Sequence, residues 1–167
     1  MVLSLSPGLK HEQAGQLPIP YTAEEVGRMF ADLLATFDFA TEMHELQIGK
    51  LNLVKRARAK KLLTAISIAL WHVALEKSFP NDAKTFFNHF VSTYPPLAGK
   101  GRRARSLRFY VQTYDALVGE KKDGDFSLVA EKLATVFTLP DKDRKRLQLK
   151  LSLRVRALYE LIFEKLI

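Results

Sequence analysis

The segment from Ile66 to Leu75 is apolar on nearly every side of a helix. A helix of this kind is stable in water only where other elements cover it all round. The segment belongs to a stretch from Phe39 to Phe79 that has no proline and a single glycine, Gly49. We therefore predict a long helix from about Leu51 to Lys77, buried at the centre of a bundle. It is either separate from or continuous with a shorter helix before Gly49.

Amphipathic spacing predicts helices on both sides of this central element. Thr22 has the character of an N-cap, and Glu25 three residues later completes a capping box. Apolar residues then recur at helical spacing as far as Phe37. Further helices are predicted over residues 82–94, 102–118, 126–137 and from about 142 onward. The chain is thus expected to be all-α, a single-domain bundle of six to seven helices with a buried central helix.

The last segment fits two different periodicities. Apolar and polar residues alternate as in a strand at Leu147, Leu149, Leu151, Leu153 and Val155. An overlapping apolar set falls on one helical stripe, formed by Leu147, Leu151, Leu158, Ile162 and Leu166. Because nothing else in the chain offers a partner strand, we predict one long helix. Its two apolar sets would face two neighbouring helices, or one neighbour and a partner protein.

Residues 1–20 contain three prolines and two glycines without periodicity, so we predict an irregular N-terminal arm ahead of a helical domain at residues 21–167. The arm lacks the basic start and apolar run of a signal peptide. No window reaches the roughly 18 apolar residues of a membrane span. The absence of cysteine excludes disulfides and thiolate metal sites and suits a reducing compartment. We expect a cytoplasmic protein that does not enter a membrane.

No residue pattern indicates catalysis, a metal site or a cofactor. His44 begins a fragment like the zinc-protease helix motif, but Ile48 stands where the second histidine would be needed. His72 lies within the apolar helix and is expected to be a core histidine with its hydrogen bonds satisfied. Gly99 and Gly101 lack the following Lys-Ser or Lys-Thr of a phosphate-binding loop. We therefore expect a non-catalytic protein with no metal and no cofactor.

Positive charge is concentrated after the first 49 residues. Residues 1–49 carry two basic side chains against seven acidic ones, whereas residues 50–167 carry 24 against 11. A field of this kind attracts polyanions and speeds their encounter. Three clusters hold 18 of the 26 basic residues: Lys50, Lys55, Arg56, Arg58, Lys60 and Lys61; Lys100, Arg102, Arg103, Arg105 and Arg108; and Lys142, Arg144, Lys145, Arg146, Lys150, Arg154 and Arg156.

Spacing places several of these bases on shared helix faces. Lys55, Arg58 and Lys61 step by three residues. A second row steps by four from Arg146 to Arg154. Rows of this kind can follow the phosphates of a nucleic acid. The candidate nucleic-acid-binding residues are Lys55, Arg56, Arg58, Lys61, Lys100, Arg102, Arg103, Arg105, Arg108, Arg144, Lys145, Arg146, Lys150 and Arg154.

The second cluster lies at a predicted helix start. The macrodipole disfavours positive charge there, by a few tenths to about 1 kcal/mol for each base. Bound phosphate would relieve this cost, because arginine forks and backbone amides both donate to it. Phe109, Tyr110 and Tyr114 follow and could offer a stacking face to a single strand. The two tyrosines, spaced i and i+4, are more typical of a core.

In size, helix count and the basic clusters around Lys55, Arg103 and Arg146, the chain resembles the small helical subunits of multi-subunit CRISPR effector complexes. That class consists of compact, basic, helical proteins that line a nucleic-acid groove. The resemblance implies a non-catalytic role, holding guide or target strands within an assembly. It also implies contacts with protein partners or with further copies of the chain. It is a resemblance of architecture and charge and includes no motif.

Two functions remain open on the sequence. The first is a nucleic-acid-binding subunit that contacts the RNA or DNA backbone, which predicts basic clusters that converge on one face. The second is a helical adaptor or inhibitor of an acidic protein partner. It predicts scattered bases and an exposed apolar patch, expected on the second face of the last helix. Since no sequence-reading motif is present, little base specificity is expected.

Overall fold

A computed structural model describes residues 21–121 and 124–166, so the predicted N-terminal arm, residues 1–20, lies outside the described residues. Within these ranges the chain is helical and has no strand, which confirms the all-α prediction. The α-helices are α1 (Ala23–Ala35), α2 (Ala40–Glu45), α3 (Leu53–Ser78), α4 (Ala83–Thr93), α5 (Pro95–Ala98), α6 (Arg102–Glu120), α7 (Ser127–Val136) and α8 (Arg144–Leu166), with a 3-10 turn at Asp141–Asp143 before the last.

The described part of the chain has eight α-helices, where six or seven were predicted. The additional one is the short helix α5, in a segment predicted to be a proline-terminated end and a loop. Pro95 and Pro96 stand at its first positions, where a missing amide costs no hydrogen bond and the fixed φ already suits a helix. The two helices around Gly49 are separate, because α2 ends before that glycine and α3 begins after it.

The start of α1 follows the prediction from Thr22. The Thr22 hydroxyl accepts a hydrogen bond from the Glu25 amide at 3.2 Å, and the Glu25 carboxylate accepts one from the Thr22 amide at 2.8 Å. This capping box satisfies two amides that a helix start leaves free. On the face that α1 buries, the fully buried Phe30 stacks on Trp71 of α3, with ring centroids 4.3 Å apart.

The central helix is α3, as the sequence predicts. Every residue from Ala65 to Trp71 is buried, and helices α1, α4, α6 and α8 pack around it. Ser67, the polar member of this segment, donates its hydroxyl to the Leu63 carbonyl at 2.8 Å, so its burial leaves no hydroxyl donor unsatisfied. Among the helices described, none is both long and apolar enough to cross a membrane.

Helices α3 and α6 run in the same direction. Near the start of both, Lys61 Nζ lies 3.5 Å from Ser106 Oγ. Further along both, His72 Nδ1 lies 2.8 Å from Asp115 Oδ1. Two contacts in ascending order on both helices require parallel axes, and α4 supplies the return path between them.

Helix α8 also runs parallel to α3. Near the end of α3, Lys77 Nζ lies 5.4 Å from the ring centroid of Tyr159 on α8. The same Tyr159 ring lies 5.5 Å from Phe126, just before the start of α7, so α7 is antiparallel to α8. At the opposite end of α7, the Arg58 guanidinium lies 5.9 Å from the Phe137 ring. The starts of α3 and α8 are therefore at the same end of the bundle.

The ambiguous last segment is one helix, as predicted. Four of its buried residues belong to the predicted helical stripe, Leu147, Leu151, Leu158 and Ile162. Val155, predicted only as part of the alternating set, is also buried, and Leu166 of the stripe is partly buried. Leu149 and Leu153, which belong only to the alternating set, remain 63% and 56% exposed. With no strand to pair with among the described residues, backbone hydrogen bonds can be completed only within a helix. Leu149 and Leu153 therefore form an exposed apolar pair on α8.

Candidate nucleic-acid interface

The first two basic clusters and the first part of the third, residues 142–150, lie at one end of the bundle, because α3, α6 and α8 are parallel and all begin there. We call this surface the basic end and define it as residues 50–61, 100–108 and 142–150. Arg154 and Arg156 lie further along α8, where Arg156 donates to the Gly124 carbonyl at 3.1 Å, near the opposite end. The start of α3 joins the other two helix starts. Lys61 reaches Ser106 of α6, and Arg58 covers Phe137, shortly before α8 begins. The convergence expected of a nucleic-acid-binding surface is therefore present in the fold.

Acidic residues are missing from the first part of all three helices. The chain has no Asp or Glu between Glu45 and Glu76, between Asp82 and Asp115, or between Asp143 and Glu160. The first acids of α3, α6 and α8 thus come only toward their C-terminal ends. This order opposes the helix macrodipole, which favours acids at the start and bases at the end. The positive ends of the α3 and α6 dipoles add to the charge of the basic side chains, whereas α8 is preceded by Asp141 and Asp143 in the 3-10 turn.

The first cluster, on α3, is largely open to solvent. Lys55 and Arg58 are exposed, while Arg56 and Lys61 are partly buried. Arg58 lies over the Phe137 ring, an arrangement that restricts its guanidinium without neutralising it. The Asn52 side chain caps α3 by accepting from the Lys55 amide at 3.1 Å. The cap is uncharged, so the start of α3 keeps its positive potential.

The second cluster separates into two groups with different tasks. Lys100, Arg102, Arg103 and Arg105 are exposed. Arg108 instead turns back to the α5–α6 connection, where its guanidinium donates to the carbonyls of Leu97 and Gly99, the latter at 2.9 Å. These bonds hold the connection against α6. Arg108, predicted to bind nucleic acid, is therefore engaged within the fold.

The third cluster, on α8, is partly neutralised. Lys145, Arg146 and Arg154 are exposed. Lys150 Nζ lies 3.2 Å from the Glu45 carboxylate of α2, and Arg144 pairs with Asp141 at 3.4 Å. The first pair joins α8 to α2, and the second is a local pair at the start of α8. The exposed members of the cluster are therefore the ones open to an anionic ligand.

A cleft of about 460 Å³ opens between α2 and the start of α8. Its walls include His44 and Gln47 on one side and Arg146 and Lys150 on the other. Gly49 also lines it, which places the loop that leads into the first basic cluster beside the third. The cleft thus connects two clusters that are far apart in sequence.

Apolar side chains at the basic end are also exposed. Leu51, Leu53 and Val54 at the start of α3 are 96%, 74% and 82% exposed. They were not predicted as part of the surface, although three apolar residues beside the bases around the N-cap Asn52 were a usable signal. Of the three aromatic residues named on α6, Tyr114 is buried and Tyr110 is partly buried. Phe109 is 63% exposed.

His72 is a partly buried histidine with satisfied hydrogen bonding, as expected, and its ring stacks on Phe87 at 4.0 Å. Its partner Asp115 was not foreseen, because 43 residues separate the two in the chain. Burial lowers the pKa of His72, but the hydrogen bond and charge of Asp115, with the charge of Glu76, outweigh it and raise that pKa above 6.5. Among the described residues, no group of three or more His, Cys, Asp or Glu side chains is placed to hold a metal ion.

Comparisons with known proteins give no relative for this chain: no family model, no curated protein and no solved structure matches it.

Proposed function

We propose that the basic end binds the phosphate backbone of a nucleic acid, RNA or DNA, and that the protein does so without catalysing a reaction. The observation that carries the proposal is the shared direction of α3, α6 and α8. It gathers the first two basic clusters, the first part of the third, and three helix starts on one end of the molecule. Each phosphate neutralised there would release bound counterions, which favours association.

The reversed charge order along the helices is the second support. Bases at a helix start lower stability by about 0.3–1 kcal/mol each when they are exposed. This arrangement is present on α3 and α6, whose first turns contain no acid, and it lowers stability at the same end of the fold on both helices. A polyanion bound at that end would remove the repulsion and convert the cost into affinity.

The mode of recognition that we propose is contact with the backbone rather than with bases. Exposed lysines and arginines at helix starts match phosphates, and arginine does so with two parallel hydrogen bonds. Membership of a larger nucleoprotein complex, such as a CRISPR effector, remains a prediction from the resemblance. It is consistent with exposed apolar residues beside the bases, at Leu51 and Val54, which a partner subunit would cover.

A salt-titrated binding assay with labelled single- and double-stranded DNA and RNA tests the proposal. The test variant changes Arg102, Arg103 and Arg105 together to Glu. The matched control changes Arg28, Lys84 and Lys165 together to Glu, because these are exposed bases outside the basic end. Both variants alter net charge by the same amount, so a difference between them reports position and not total charge.

We expect wild type to bind at physiological salt, with affinity falling by orders of magnitude between about 50 and about 200 mM salt. The test variant should bind much more weakly, with a salt slope reduced by about 3 if each arginine contacts one phosphate. The control should stay close to wild type. Equal losses in the two variants, or no binding by wild type, would reject the proposal. Circular dichroism checks that both variants fold.

A second candidate function, the adaptor for an acidic protein partner, is favoured by one observation. Leu149 and Leu153 form the exposed apolar pair on α8 that this function predicts, and the exposed Arg146 and Arg154 flank them. Polyglutamate is a suitable probe of this alternative. If it displaces nucleic acid only at concentrations far above those of the oligonucleotide, and Leu149→Ser/Leu153→Ser leaves nucleic-acid binding unchanged, the adaptor is disfavoured.

A further inference from the structure

We infer that the exposed face of α6 binds single-stranded nucleic acid, with Phe109 stacking on an unpaired base while Arg102 and Arg105 hold neighbouring phosphates. The inference rests on the proposed function and adds the class of strand. It depends on the exposure of Phe109 and on its position relative to the two arginines.

The three residues lie on one stripe of α6. Arg105 comes four residues before Phe109 and Arg102 three residues before Arg105, so all three share a helix face. The rise of a helix separates Arg105 and Phe109 by about 6 Å along the axis. Because side chains on a helix lean toward its N-terminus, the Phe109 ring lies over the turn that carries Arg105.

The surroundings of Phe109 favour an anionic ligand. No acid occurs between Asp82 and Asp115, and Asp115 is engaged by His72. At 63%, Phe109 is the most exposed aromatic side chain in the described part of the protein. A nucleotide is an aromatic base attached to a phosphate. An exposed aromatic ring can stack on the base, and neighbouring arginines can bind the phosphate.

The ring is also held in place from within the fold. Its centroid lies 5.6 Å from that of Tyr110 at an interplanar angle of 68°, an edge-to-face arrangement. Tyr110 is partly buried and packs against the core, so it restricts Phe109 on one side. The Thr113 hydroxyl donates to the Phe109 carbonyl at 2.9 Å, which keeps that hydroxyl within the helix. A ring restrained before binding loses little conformational entropy when a base stacks on it.

The same geometry distinguishes single strands from duplexes. In a duplex the faces of the bases are stacked inside the helix, and a side chain on a convex protein surface reaches only phosphates, sugars and groove edges. An unpaired base offers its face, and every base has one, so the contact tolerates any sequence. Phe109 should therefore add affinity for a single strand and none for a duplex, while the arginines contribute to both.

The experiment compares wild type with Phe109→Ala, Phe109→Trp and Phe163→Ala by fluorescence anisotropy. The probes are a labelled short single strand and the duplex of the same sequence. Phe163 provides the matched control, because it is an exposed phenylalanine beside the Tyr159 ring. It lies near the C-terminal end of α8, away from the basic end. Each titration is repeated over a series of salt concentrations.

We expect Phe109→Ala to weaken single-strand binding about tenfold, a typical effect for one stacked base, and duplex binding less than about twofold. Its salt slope should equal that of wild type, since no phosphate contact is lost. Phe109→Trp should retain or exceed wild-type affinity. The fluorescence of its added indole should also be quenched by the single strand. The emission of Trp71 is separate, because that residue is fully buried. Phe163→Ala should bind as wild type does.

An equal effect of Phe109→Ala on single strand and duplex would overturn the inference, as would no effect on either. In both cases salt-dependent binding by wild type would leave the proposed function standing. A wild type that binds neither probe would overturn both. Unquenched indole fluorescence in Phe109→Trp at saturating single strand would also count against stacking, whatever the affinities.

Discussion

His72 on α3 donates from Nδ1 to the Oδ1 carboxylate oxygen of Asp115 on α6 at 2.8 Å, while its Nε2 lies 3.8 Å from Glu76. The ring also stacks on Phe87 of α4. One side chain thus connects three helices. Two of them, α3 and α6, are the parallel pair whose starts form part of the basic end, so the histidine supports the alignment of the basic clusters from a distance.

This pair predicts a stability that depends on pH. The folded-state pKa of His72 is raised above 6.5, so the folded protein binds the proton more tightly than the unfolded chain does. Its contribution is fully present below about pH 6.5 and is lost as pH rises through the folded-state pKa. Urea unfolding of wild type and Asp115→Asn across about pH 5 to 8 should show the wild-type advantage shrinking as pH rises.

The replacement by Asn keeps the shape and a neutral hydrogen bond to His72, so it isolates the charge of Asp115. His72→Gln serves as the second variant and should show the same flattened pH profile. If the difference between wild type and Asp115→Asn stays constant across the range, the pair is a structural hydrogen bond and does not act through protonation.

Arg108 predicts a loss of stability that its neighbours do not share. Its guanidinium donates to the carbonyls of Leu97 and Gly99, and removing it leaves these carbonyls, in and just after α5, without their charged donor. Arg108→Met should lower the free energy of unfolding by about 1–3 kcal/mol. Arg105→Met, an exposed arginine one turn away, should stay within about 0.5 kcal/mol of wild type. Chemical denaturation measures both.

Nucleic-acid binding should separate these two variants in the opposite way. Arg105→Met should weaken binding directly, with a reduced salt slope. Arg108→Met should weaken it mainly through the α5–α6 connection, so its slope should stay near that of wild type. A variant of Arg108 that is fully stable but has a reduced slope would show that Arg108 contacts phosphate itself.

Local features of the fold could be predicted from the sequence, because their causes lie within a few residues. The capping box of Thr22 and Glu25 depends on a spacing of three. The buried centre of α3 follows from a segment that is apolar on nearly every side, a pattern that an amphipathic surface helix does not have. The long helix at the C-terminus needed a second argument, the lack of a partner strand. That argument did not show which apolar set would be buried, and Leu149 stayed exposed.

The arrangement of the basic clusters could not be predicted from the sequence, because it depends on helix direction. Clusters at the starts of α3, α6 and α8 converge only because α4 and α7 reverse the chain between them. Contacts such as those of Lys61 with Ser106 and of Lys150 with Glu45 join residues far apart in sequence. The same holds for Arg108. Its role depends on the positions of the Leu97 and Gly99 carbonyls, in and just after the short helix α5.

Basic side chains at the start of α6 stand where the macrodipole favours acidic ones. Reversing their charge should therefore weaken nucleic-acid binding and raise the free energy of unfolding together. Arg102 and Arg103 are exposed in the first turn, which contains no acid. Changing both to Glu should raise the free energy of unfolding by about 0.3–1 kcal/mol for each site at low salt. Added salt should reduce the gain. Arg102→Met/Arg103→Met is the matched control and should give a smaller gain, since it removes repulsion without adding attraction.

Thermal unfolding at low and high salt measures this effect, and the binding assay on the same samples measures the cost to function. If the two Glu substitutions destabilise the protein at low salt, the arginines make stabilising contacts within the fold. The macrodipole argument for this helix, and the support that it gives to the proposed function, would then be wrong.

Gly101 extends the same reasoning to one backbone position. It is the N-cap of α6, has φ −70° and ψ 167°, and offers no side-chain cap. A Cβ there would meet no atom within 4 Å, and its φ suits any residue. Gly101→Ser and Gly101→Asp should raise the free energy of unfolding by about 0.5–1 kcal/mol, through a new cap and a less flexible unfolded chain. Gly101→Ala separates the two causes, since it restricts the chain without capping.

The two capping variants should differ in binding. Ser adds a neutral cap, so its affinity for a single strand should remain near that of wild type. Asp places a carboxylate between the exposed Lys100 and Arg102, where it occupies the amides and charges that a phosphate would use. Gly101→Asp should therefore be the more stable protein and the weaker binder, with a lower salt slope. Equal affinity of the Ser and Asp variants would exclude the start of α6 from the binding surface.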